Sequence, residues 1–160
     1  MTFGYLKLSL GIHWEYYFTT LVIMGLALCR TKKIALSLLL SYMFLIFSVT
    51  VLSRTASDHL EYDLQLFRLF RKTEWWHDKD GIEQVIDNII MFVPIGLLLP
   101  LSVRQGGFTF IALGAIFSVI LEACQLIFCR GLCEVDDVIA NTCGVIIGCL
   151  IFQVYRRIRI

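Results

Sequence analysis

The sequence predicts an all-α fold, a polytopic transmembrane helical bundle of about five spans. Hydrophobic residues make up 58% of the 160 and charged residues 17%, with a mean hydropathy of +0.78. A soluble domain has an apolar share of about 45–50%. The apolar residues also come in runs of about twenty, the length at which a helix crosses a hydrocarbon core of ~30 Å. Short basic or polar connectors separate these runs, and the whole chain, 1–160, reads as a single domain. A net charge of +1 with no dense basic patch excludes nucleic acid as a partner.

Residues 12–29 form the first expected span. Trp14, Tyr16 and Tyr17 supply an interfacial aromatic belt, and Arg30, Lys32 and Lys33 close the run with positive charge. The run ends in Cys29-Arg30 without a small-residue cleavage pattern, so it is expected to be retained. Residues 34–53 are the second span, ending at Arg54. Segment 54–84 is the long polar stretch. Within it Leu60, Leu64, Phe67 and Phe70 or Arg71 recur at helical spacing, leaving two readings, an amphipathic surface helix or a solvated loop. Asp80 followed by Glu83 resembles a capping box and places a helix start at Gly81.

The third span covers 85–103. Pro94 removes the N–H that would bond the Ile90 carbonyl, so a kink is expected there, and a neighbouring group must satisfy the freed oxygen. The connector Arg104–Gly107 leads to the fourth span, 108–129, and Arg130–Asp136 leads to the fifth, 137–155. Arg156, Arg157 and Arg159 end the chain. Of the six cysteines, Cys29, Cys124, Cys143 and Cys149 fall inside spans, where a thiol is a small apolar filler. Cys129 and Cys133 flank the last connector and form a candidate pair on an oxidising side. No CxxC motif and no histidine neighbour supports a zinc site, so neither metal nor other cofactor is expected.

Polar groups inside the spans point to function. A charged group there costs roughly 2.5–3.5 kcal/mol on insertion scales, so such groups have partners or uses. Glu122 and Gln125 share one helical face, and Asp137, Asn141, Gly144 and Gly148 share another at spacings of four, three and four. With five spans, the loops after the second and fourth lie on one side of the membrane. Arg54, Asp87, Asn88, Gln125, Arg130 and Asp137 then gather there, with Glu122 roughly 10 Å deeper at 1.5 Å per residue. This predicts a polar pocket floored by Glu122 and Asn141. The 14 Lys and Arg divide evenly between the two sides. The densest clusters, Arg30–Lys33 and Arg156–Arg159, assign their side to the cytoplasm and turn the pocket outward.

Each polar group also has a bland role. Glu122 with Gln125 can be interhelical glue, bonded to the amide or to Arg130, or a binding and proton-handling group. One of Asp136 and Asp137 fits a helix cap. Gly144 and Gly148 form a GxxxG pair that permits close packing. Three classes of function remain. The first is a non-enzymatic pocket for a polar headgroup. The second is a small enzyme with Glu122 or Asp137 as general acid or base and Arg130 or Arg54 holding a phosphate. The third is a transporter or channel subunit, which the lack of an internal repeat argues against. No nucleophile with an adjacent base and no nucleotide loop is evident.

The run from Asp87-Asn88 through Pro94-Ile95-Gly96 to Pro100, then Glu122 and Gln125, Arg130, Asp136-Asp137, Asn141, Gly144 and Gly148, resembles the VanZ-like family. These are small bacterial membrane proteins linked to teicoplanin (glycopeptide) resistance, and the likeness covers roughly 54–152. It departs from the family where many relatives carry Asn-Leu-Ile-Pro-Phe, since Asp63-Leu64-Gln65-Leu66-Phe67 has no proline. The resemblance implies binding residues at Arg54, Asn88, Glu122, Gln125, Arg130, Asp137 and Asn141; Glu122 and Asp137 are the candidate catalytic groups on the reading of the residues themselves. With the pocket, it implies a multi-pass cell-membrane protein among lipids. That protein would take a lipid or cell-wall headgroup, such as a lipid-linked cell-wall precursor, or a lipoglycopeptide, and so alter glycopeptide susceptibility. The alternative is a small intramembrane enzyme acting on a lipid-linked headgroup.

Overall fold

The structure is a computed structural model that describes residues 31–67, 78–104 and 106–158. Helix α1 spans Lys32–Phe47 and runs on through a π-helical turn, Ser48–Leu52; its N-cap, Thr31, accepts from the Ile34 N–H. The three-residue strand β1 is Glu61–Asp63, α2 is Lys79–Ser102, α3 is Gly107–Ile127, β2 is Leu132–Glu134 and α4 is Val135–Ile158. Among the described residues four helices are long and apolar enough to cross a membrane: 32–52, α2, α3 and α4. The chain is therefore an all-α helical membrane protein. The expected first span, 12–29, lies outside the described residues.

Close approach of α2 and α4 organises the bundle, and glycines make it possible. A Cβ on Gly144 would strike the Ile89 carbonyl and Phe92, and one on Gly148 would strike the Val93 carbonyl and Gly96. A Cβ on Gly96 would meet the Val145 carbonyl in return. The two backbones thus touch with no side chain between them, as GxxxG spacing predicts. These pairings run in the same order along both helices, so α2 and α4 are parallel. Around this seam Leu39, Ile46, Val51, Phe92, Ile95, Leu98, Leu121 and Val145 form the buried apolar core.

Both prolines of α2 sit inside the helix, and neighbours serve the carbonyls near them. Tyr42 of α1 donates its hydroxyl to the Met91 carbonyl at 2.9 Å, one residue after the Ile90 carbonyl expected to take such a partner. Pro100 leaves the Gly96 carbonyl without its usual donor, and the Cys149 thiol of α4 donates to that oxygen at 3.4 Å. Cys149 is thus a hydrogen-bond donor as well as a filler, while Cys143 is exposed.

Three expectations are corrected. Helix α2 starts at Lys79, capped by Asp78 accepting from the Gly81 N–H at 3.0 Å, ahead of both the Gly81 start and the span limit of 85. Residues 54–67 form no amphipathic helix: β1 pairs in parallel with β2, Tyr62 opposite Cys133, and Leu60, Leu64 and Phe67 are exposed. Backbone hydrogen bonding to a distant strand overrides the local apolar spacing. Cys129 and Cys133 are both free thiols. Cys129 takes a left-handed conformation (φ 52°) at the turn that ends α3, and its place is set by that turn.

Candidate binding site

The polar residues collect where α2 and α4 begin and α3 ends. Glu122 is 5% exposed, Gln125 4% and Asn141 2%, so the two polar helix faces turn inward. Ser118 lies one turn before Glu122 and shares its face. The Asn141 amide donates to the Ser118 hydroxyl at 2.8 Å, joining α4 to α3. Glu122 accepts from the backbone N–H of Glu134 at 3.0 Å, which ties the carboxylate to β2. Gln84, from the first turns of α2, donates to Glu134 at 2.6 Å and to Asp137 at 3.2 Å. One amide group therefore bridges two carboxylates and closes the α2 side of the site.

The segment after α1 lies across the corner between α3 and α4. Ser57 N–H donates to the Cys129 carbonyl at 2.7 Å, the β1–β2 ladder follows, and Phe67 N–H donates to the Asp136 carboxylate at 2.6 Å. Arg54 reaches Gln125 at 3.5 Å and faces Glu122 and Asp137 electrostatically. Gly131 makes room for it. At φ 132° it holds a conformation that side chains rarely adopt, and a Cβ there would strike the Arg54 guanidinium.

Arg130 is placed differently from expectation. Its guanidinium donates to the carbonyls of Leu52 at 2.8 Å and Val51 at 3.5 Å, where the π-helical turn leaves backbone oxygens without helical partners. It pins α1 to the α3 end and does not bond Glu122. Asp136 accepts from the Phe67 backbone and Asp137 from Gln84, and both lie in the first turn of α4, where a carboxylate complements the helix dipole. Asn88 stands one turn inside Gln84. Since Gln84 meets Asp137 and Ile89 meets Gly144, the parallel register brings Asn88 level with Asn141. Two buried polar atoms here have no partner among the described residues, Asn88 Nδ2 and Asn141 Oδ1.

Gln84, Ser118 and Glu134 are the site members that the sequence reading missed. Gln84 precedes Asn88 by four and Ser118 precedes Glu122 by four, so helical spacing marks both. The site is rich in carboxylates, and among the described residues Arg54 is the cation facing Glu122 and Asp137. On β2, burial and then the charges of Glu122, Asp137 and Glu134 push the Cys133 thiol above its ordinary pKa.

The VanZ/LLP1 family model matches residues 33–156, which takes in the described helices but for Lys32 and residues 157–158, and the whole polar site. The chain belongs to the VanZ/LLP1 family. It is 37% identical over 78 residues to "Protein VanZ" of Enterococcus faecium, a stretch that is 48% of this chain and 48% of the relative. The match thus spans about half the length of that curated relative. No solved structure matches the chain. As a VanZ/LLP1 member it keeps the polar helix ends inside the family match, and the start of α1 and end of α4 are its limits.

Proposed function

We propose that this VanZ/LLP1 protein sits in the bacterial cell membrane with the polar site facing outward. There it binds the polar headgroup of a lipid-linked cell-wall precursor or a lipoglycopeptide, and so lowers susceptibility to teicoplanin. The observation that carries the reading is the Asn141 carbonyl oxygen, 98% shielded with its residue and unpartnered among the described residues. A buried acceptor left unbonded costs about 1–3 kcal/mol, so a site that keeps one is completed by a donor from outside. Glu122, Glu134 and Asp137 add acceptors, and Asn88 Nδ2 adds a donor. The preferred headgroup is therefore rich in hydroxyl, amide or amine donors. With Arg130 committed to the end of α1, Arg54 is, among the described residues of the site, the one that would meet an anionic group.

A second reading, catalysis, is favoured by the convergence of Glu122 and Asp137 on one site. Teicoplanin susceptibility of cells expressing each variant, with membrane abundance measured alongside, separates the two. For a binding site, Glu122→Gln keeps most of the protection while Glu122→Ala at normal abundance loses it. A general acid or base predicts a fall of about 10²–10⁴-fold in the Gln variant. Full protection by Glu122→Ala would overturn both.

A further inference from the structure

The opposite end of the bundle carries a feature that the polar site does not use. A cavity of about 850 Å³ opens there between the start of α1, the end of α2, the start of α3 and the end of α4. Lys32, Arg104 and Arg156 line it, all exposed, and no carboxylate does among the described residues. Its walls include Leu101, Phe110 and Phe152. Gly106 and Gly107 complete the lining at the start of α3, where the helix has no side-chain cap. Free first-turn N–H groups and the positive end of a helix dipole attract anions, and glycines let an anion approach that backbone closely. Cations, uncapped N–H groups and apolar wall thus converge at the depth where span ends meet the membrane interface.

We propose that this cavity binds the phosphate of an anionic phospholipid. The phosphate sits among Lys32, Arg104, Arg156 and the start of α3, and an acyl chain lies along Phe110 and Phe152. The apolar wall decides for a lipid over a free phosphate ion. Arg157 is adjacent in sequence and exposed but does not line the cavity, so it reports on general surface charge.

The test is native mass spectrometry of the full chain in detergent, titrated with phosphatidylglycerol, phosphatidylcholine or inorganic phosphate. Phosphatidylglycerol is expected to bind at least tenfold more tightly than phosphatidylcholine. Arg104→Gln with Arg156→Gln should erase that preference, while Arg157→Gln keeps it; helical circular dichroism confirms that each variant is folded. Lys32→Gln alone provides a milder variant, with an expected loss of severalfold. Equal binding of the two lipids, an equal loss in Arg157→Gln, or inorganic phosphate binding as tightly as phosphatidylglycerol would each overturn the proposal.

Discussion

Glu122 shows how a single residue was legible in part. Its place in an apolar run announced a buried carboxylate with a task, and it is buried, with Gln125 on the same face. Its partner was not legible, because the Glu134 N–H belongs to a strand formed only when a distant segment pairs with it. Arg130 misled for a related reason: sequence shows a cation near carboxylates, whereas the irregular end of α1 offers it carbonyl oxygens. Cys133 gives a direct probe of the site's charge. Burial first, then the neighbouring carboxylates, raise its pKa, so at neutral pH less thiolate is present than in an ordinary cysteine. Alkylation of Cys133 should be slow at pH 7.0 relative to a model thiol and climb as pH rises past ~8.5, the ordinary value. Glu134→Gln, which removes a neighbouring charge, should speed it. Rates read by peptide mapping decide this, and an unchanged rate in the Gln variant would show that the Glu134 charge does not reach Cys133.

At the scale of elements, the helices were legible and their connections were not. Runs of apolar residues fix where α1, α2, α3 and α4 lie to within a turn or two, since the membrane demands their length. The three-residue strands carry no periodicity to read, and their pairing spans seventy residues of chain from Glu61 to Leu132. The glycine seam was visible as GxxxG, but its partner helix was not. Gly148→Leu should wedge α2 from α4, because its first added carbon already meets the Val93 carbonyl. Overpacking of this kind costs about 1–3 kcal/mol, measurable as a lower melting temperature in detergent. A variant as stable as the parent would contradict the described contact. Gly131→Ala acts locally: it should displace Arg54 from Gln125 and reduce teicoplanin protection severalfold at normal abundance, whereas unchanged protection would remove Arg54 from the site.

Over the whole molecule, charge is segregated along the bundle axis. Lys32, Lys33, Arg104, Arg156 and Arg157 lie at one end, while every described Asp and Glu lies toward the other. Of the described Lys and Arg, five lie at the first end and three, Arg54, Lys79 and Arg130, at the other. By the positive-inside rule the start of α1 and the end of α4 are expected together in the cytoplasm. Reporter fusions at Lys33 and Arg157 should both report cytoplasm and a fusion at Asp58 the outside; opposite results at Lys33 and Arg157 would break the four-helix arrangement.

Calorimetric titration of teicoplanin into the purified chain tests most directly whether a ligand completes the polar site. The parent is expected to bind, and Asn141→Leu, which removes the unpartnered acceptor, should weaken binding at least tenfold, about 1.4 kcal/mol, while remaining folded. Glu122→Ala should weaken it further. Equal binding by the parent and both variants would contradict a ligand at this site.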